Sequence, residues 1–216
     1  MKNKLLFLFA FLLCLYTFGL VHANTLPLFG KVIYLDPGHG GPDPGAVWGN
    51  VYESQINLEI SLKLQEELEK NGAIVYLTRY GDYDLSANNA MLRKRSDLSR
   101  RANIINKSGA DLYLSIHLNA DISSTWQGAQ VFYDKVNDKN EKIAEVLQKQ
   151  LCEDLNTKRE HKNIQGQYLY SRVNVLGVLI EVGFISNPNE RYLLRQQEYQ
   201  QKVSKTITKG IINYFS

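Results

Sequence analysis

The 216-residue chain carries 25 Lys and Arg against 22 Asp and Glu, a formal charge of +3, and is 44% apolar and 22% charged. This composition excludes a disordered, collagen-like or linker-dominated chain, and it lacks the basic surplus that nucleic-acid binding uses. Of the two cysteines, Cys14 lies in an apolar leader, so the rest of the chain, with Cys152 alone, is predicted to hold no internal disulfide.

The first residues read as an export segment. Lys2 and Lys4 precede Leu5 to Val21, 17 uncharged residues rich in Leu and Phe. Val21-His22-Ala23 then offers compact residues for cleavage after Ala23. Residues 1–23 are predicted to be a signal peptide or, if uncleaved, an N-terminal membrane anchor, and residues 24–216 a single domain outside the cytoplasmic membrane.

Beyond the leader, strand signals alternate with helix signals. KVIYLD (31–36) is a short apolar run stopped by Pro37-Gly38 and predicts a buried strand. Ile56, Ile60, Leu64 and Leu68 recur every fourth residue and predict an amphipathic helix over 53–71. AIVYLT (73–78) is the next strand, 91–107 a helix closed by Gly109, and DLYLSI (111–116) and AQVFY (129–133) two further strands. A helix over 137–156 is followed by a short strand at 168–171, a buried strand VLIEV (178–182) and a closing helix over 197–215. This order predicts an α/β fold: one domain on a twisted, mostly parallel or mixed sheet flanked by helices on both faces.

In such sheets the active crevice lies at the strand ends and the loops after them. His39 follows the first strand, His117 the third, Glu53 opens the first helix, and Glu181 interrupts the last apolar strand. Singly, each His is an ordinary hydrogen-bonded residue, and Glu53 suits the positive end of a helix. Glu181 is harder to dismiss, because a buried carboxylate is costly without a partner or a metal. Together, two imidazoles and a carboxylate form a common ligand set for catalytic zinc, and a second carboxylate then serves as general base for the water. Glu181 is the best candidate for that base. The residues alone thus describe a metal-assisted hydrolase.

LDPGHGGPDPGA (35–46), the helix-opening Glu53, SIHLNA (115–120) and EVGFISNPNE (181–190) resemble the zinc-dependent N-acetylmuramoyl-L-alanine amidases of the bacterial cell wall. Thr78-Arg79 and Arg101-Ala102-Asn103 share the likeness, which runs from Lys31 to the C terminus. The resemblance implies zinc bound by His39, Glu53 and His117, with Glu181 as the catalytic carboxylate. It also implies a substrate, the amide joining the lactyl group of muramic acid to the L-Ala of the stem peptide. A leader followed by a bare catalytic domain is similar to the spore-cortex branch of these amidases, which strips peptides on the way to muramic-δ-lactam. Two positions depart from the family pattern: Leu176-Gly177 stands where Pro is usual, and Ser54 where a basic residue is usual.

The implied partner is peptidoglycan, with no nucleic acid, membrane contact only through an uncleaved leader, and room for an activating protein. Competing classes are a zinc peptidase acting within the stem peptide and a non-catalytic wall-binding or assembly protein. The basic run from Arg93 to Lys107 reads as a solvated helix face, and His161 as a surface residue. Trp48 and Trp126, the latter in the polar loop SSTWQG, are candidates for a sugar-binding groove.

Overall fold

The computed structural model describes residues 2–23 and 26–216. Helix α1 (Lys2–Ala23) coincides with the predicted leader; the expected junction after Ala23 abuts residues 24–25, which lie outside the described residues. Among the described residues, no helix is long and apolar enough to cross a membrane.

Six strands form one mixed sheet: β1 (Val32–Pro37), β4 (Ile74–Leu77), β5 (Leu112–Asn119), β6 (Gln130–Tyr133), β7 (Lys162–Asn163) and β8 (Gly177–Phe184). Their spatial order is β4-β1-β5-β8-β6-β7. β1 is parallel to β4 and β5, and β5 to β8, while β6 runs antiparallel to β8. A hairpin of β2 (Val47–Trp48) and β3 (Val51–Tyr52) leads into α2 (Glu53–Lys70).

The period-2 alternation of strands sorts side chains between the two faces. Ile33 and Leu35 of β1, Leu112, Leu114 and Ile116 of β5, and Val178, Ile180 and Val182 of β8 build the larger core. It is covered by α2, α4 (Asn140–Leu155) and α6 (Gln197–Phe215), with α6 packed against both other helices. The intervening residues face a smaller core with α3 (Arg93–Lys107) and a 3₁₀ turn (Tyr170–Arg172), where Tyr113 and Leu179 meet Ala102, Ile105 and Tyr170. The α/β layer fold predicted from the alternation is therefore present, with helical cover on both faces.

Several local expectations are corrected. The expected strand at 168–171 is a 3₁₀ turn, which buries the Tyr170 side chain against the sheet. β5 does not stop at Ile116 but continues to Asn119, so His117 lies within the strand and pairs in register with Glu181. Helix α3 is not simply a solvated basic face: Arg101 is 1% exposed. Arg93 pairs with Asp84, Lys94 with Asp43, and Arg95 Nε donates to the Tyr168 hydroxyl. His161 is half-buried, its ring 5.9 Å from that of Tyr133.

Candidate metal centre

The C-terminal ends of β1, β5 and β8 lie side by side and carry the predicted residues to one place. Alternation puts Asp36, Ser115, His117 and Glu181 on the face toward α3, since their neighbours Leu35, Ile116 and Ile180 point into the larger core. Glu53 enters from the other side, at the first turn of α2, and is 3% exposed. His39 lies in the loop after β1.

Glu53 is the hub. Its Oε1 lies 3.2 Å from His39 Nε2 and 2.9 Å from His117 Nδ1. The backbone N–H of Leu118 and the Asn57 side chain donate to the same oxygen at 3.1 and 3.2 Å, and Ala46 N–H donates to Oε2 at 2.8 Å. Burial alone would raise the Glu53 carboxyl, but the two imidazoles beside it hold it well below the usual carboxylate range. His39 shows the opposite balance. Burial would lower its imidazole, yet Glu53 and Asp43 raise it.

One donor atom from each of His39, Glu53 and His117 lies within 4.8 Å of the others. Donors around a tetrahedral zinc sit about 3.3 Å from one another, given metal–ligand bonds of about 2 Å. Both Glu53–imidazole separations are of that size. Two imidazole nitrogens and a carboxylate oxygen are also a donor set that suits zinc. The residues therefore fit the group that the motifs imply.

Around this triad lies a buried polar scaffold. His39 takes a left-handed backbone, φ 62°, which costs a non-glycine residue about 1 kcal/mol or more. Three contacts hold it there: Asp43 Oδ2 accepts from His39 Nδ1 at 2.9 Å, Gly40 and Asp43 form a backbone bridge, and Arg101 Nη2 donates to His39 O at 2.8 Å. With Nδ1 engaged by Asp43, Nε2 is the ring atom turned to Glu53. The preceding backbone is gripped by a second arginine. Arg79, fully buried, donates to the carbonyls of Pro37, Gly38, Ser54 and Gly81. Gly38 itself has no room for a side chain, since a Cβ there would collide with the His117 ring.

Arg101 also pairs with Asp36 at 2.8 Å and Asp97 at 3.0 Å. Asp36 further accepts from Thr78 at 2.7 Å and Ser115 at 2.9 Å, and Tyr170 OH reaches Ser115 at 3.4 Å. Burial would raise the Asp36 carboxyl, but Arg101 and the Thr78 bond hold it below its ordinary value.

Glu181 lies apart from this network. Its Oε2 is buried without a hydrogen-bond partner among the described residues, and burial pushes the carboxyl up to about 7. It is thus the one carboxylate of the group lifted toward neutral pH, close to Glu53, which is held low. The four predicted residues converge on one site. The reading from sequence placed Asp36, Asp43, Arg79, Arg101 and Ser115 in the motifs without giving them a role and missed Asn57, all of which position the four.

The chain is also similar to known proteins. The germination-specific N-acetylmuramoyl-L-alanine amidase of Bacillus subtilis is 46% identical, over 97% of this chain and 93% of its own length. The B. subtilis amidase LytC is 32% identical over 89% of this chain, which spans only 38% of that protein. Among solved structures, the CwlD amidase of Clostridioides difficile, in complex with the GerS lipoprotein, superposes with a TM-score of 0.82 at 38% identity, over 86% of this chain and 98% of that one. A family profile described as N-acetylmuramoyl-L-alanine amidase matches residues 33–213, every strand and helix around the site apart from the edges of the first and last, and the chain belongs to that family.

Proposed function

We propose that this chain is a zinc-dependent enzyme that hydrolyses the amide between the lactyl group of N-acetylmuramic acid and the L-Ala of the peptidoglycan stem peptide. The observation that carries this reading is the convergence of His39 Nε2 and His117 Nδ1 on one Glu53 oxygen, with Glu181 in register beside His117. His39, Glu53 and His117 hold the ion. Bound there, zinc supplies Lewis-acid polarisation of the scissile carbonyl and lowers the pKa of water at the site.

The other roles fall to the chain's own groups. Leu118 N–H, Asn57 and Ala46 N–H fix both Glu53 oxygens, and Asp43 fixes the His39 ring, as carboxylates beside metal-bound histidines do. Glu181 takes the proton of the attacking water and delivers it to the L-Ala nitrogen as the C–N bond breaks. A single carboxyl suits both halves of that transfer, taking the proton as a carboxylate and giving it back as an acid.

Residues 1–23 export the chain or tether it to the membrane, and residues 24–216 act on the wall outside. The germination-specific B. subtilis relative supports a role in the spore cortex, where removal of the stem peptide precedes muramic-δ-lactam formation. The GerS lipoprotein in the C. difficile structure supports an accessory protein partner for this chain as well.

The test is digestion of peptidoglycan and soluble muropeptides, with and without chelator, read by mass spectrometry. Free stem peptides with a new L-Ala amino terminus, lost on chelation and restored by zinc, are expected. Cleavage inside the stem would replace the amidase by a peptidase, and zinc-loaded protein without any cleavage would leave a binding role.

A further inference from the structure

Two tryptophans stand half exposed on segments that adjoin this centre along the chain, Trp48 at 47% and Trp126 at 50%. Each is backed by a guanidinium. Arg191 Cζ lies 4.9 Å from the Trp48 ring centre, and Arg159 Cζ lies 4.8 Å from that of Trp126 and 4.9 Å from that of the buried Phe184. A cation over one indole face is attractive and holds the ring still. Each ring thus carries a guanidinium over one face and still remains about half exposed.

Both rings are moored to the segment that follows Glu181. The Arg191 guanidinium donates to the carbonyls of Ile185 and Ser186 at 2.7 and 3.3 Å. Asn187 Nδ2 donates to Trp126 O at 3.2 Å, and Arg159 Nε to Gln127 O at 3.0 Å. Glu190 ties the same loop down, accepting from Gly128 N–H at 2.9 Å and Phe184 N–H at 2.7 Å. On the other side, Trp48 belongs to the hairpin that runs directly into Glu53, and Trp126 to the loop that leaves β5 after His117. Each indole is therefore fixed both to the strand end of the proposed base and to the segment of a proposed ligand.

We propose that the open faces of Trp48 and Trp126 are stacking ledges for pyranose rings of the glycan strand. This rests on the amidase reading, which supplies the occupant: the scissile amide hangs from a sugar ring, so sugars must lie at the rim of the centre. A pyranose offers a flat face of C–H groups edged by hydroxyls, and an indole offers a large, rigid apolar face of matching size. Because the arginines and loop bonds already hold both rings, little freedom is lost when a strand binds.

The experiment uses the full chain and measures binding of peptide-free glycan strands by calorimetry, together with kcat and KM on strands that carry stem peptides. Trp48→Ala and Trp126→Ala are each expected to weaken strand binding about five- to tenfold, with the kinetic loss carried by KM, and the Phe variants to recover part of it. Unchanged binding in both Ala variants overturns the proposal. So does an equal loss of zinc affinity, because that would report a displaced Glu53 hairpin or β5 loop instead of a lost ledge. Strand binding by the unmutated chain without release of any stem peptide would leave the ledges standing and remove the amidase reading.

Discussion

Burial lifts the Glu181 carboxyl from 4.5 to about 7, so between those values the folded protein holds a proton that the unfolded chain has released. Stability then falls as pH rises through that window, because the folded state binds the extra proton. In chelated protein, Glu181→Gln should abolish this fall and make the protein more stable above neutral pH by up to about 3 kcal/mol, read from urea denaturation at acid and mildly alkaline pH. The same variant should keep its zinc stoichiometry and lose about 100-fold or more in turnover. A Gln variant that is active, or that shows the same pH-dependent loss of stability, would remove Glu181 from the role of base. His39 tells a related story on a smaller scale: a left-handed imidazole residue is tolerated because Asp43 and Arg101 hold it from both ends.

At the level of the elements, α3 matters more than its composition suggests. Asp97, Arg101 and Ile105 recur at fourfold spacing, so the arginine lies on the same inner stripe as a fully buried isoleucine. Removing it leaves Asp36 and Asp97 buried without their shared cation. Arg101→Ala should therefore cost about 3–5 kcal/mol in urea denaturation. Arg101→Lys should fold but bind zinc more weakly, because a single ammonium cannot serve Asp36, Asp97 and the His39 carbonyl together. A Lys variant with undiminished zinc affinity would reduce Arg101 to a packing role.

That stripe reads in the sequence as part of a solvated basic face, whereas most strands and helices are visible there because their apolar periods are strong. The extension of β5 through His117 was also written there, in the alternation of Ser115, His117 and Asn119 with Ile116 and Leu118, but polar residues at a strand end look like a loop. The 3₁₀ turn was not legible, since Tyr170 is placed by a contact with Ser115 far away in sequence. Nor was the Asp36–Arg101–Arg79 scaffold, whose longest bonds span 41 to 79 residues. Gly177 gives one family departure a reason: the Tyr113 ring packs against it so closely that any Cβ would clash, and its N–H donates to Asn140.

Over the whole molecule, acid acts through the centre of the sheet. Asp36 joins β1 to the residue that follows β4 through Thr78, to β5 through Ser115 and to α3 through Arg101. Its depressed carboxyl contributes stability that is complete above the unfolded value of 3.8 and is lost as pH falls through the lower folded value. The thermal midpoint should thus drop steeply below about pH 4, and Asp36→Asn, less stable at neutral pH, should show a shallower acid limb. Identical limbs would place the acid sensitivity elsewhere.

The proposed ligands also have a consequence in time. Glu53 and His117 are 64 residues apart, and His39 reaches them only through the parallel pairing of β1 with β5. Parallel pairing of distant strands is slow to form, so the centre is a late product of folding and not its seed. An ion present early finds no triad to occupy. Hydrolytic power is therefore latent in the extended chain and switches on only when the sheet has closed.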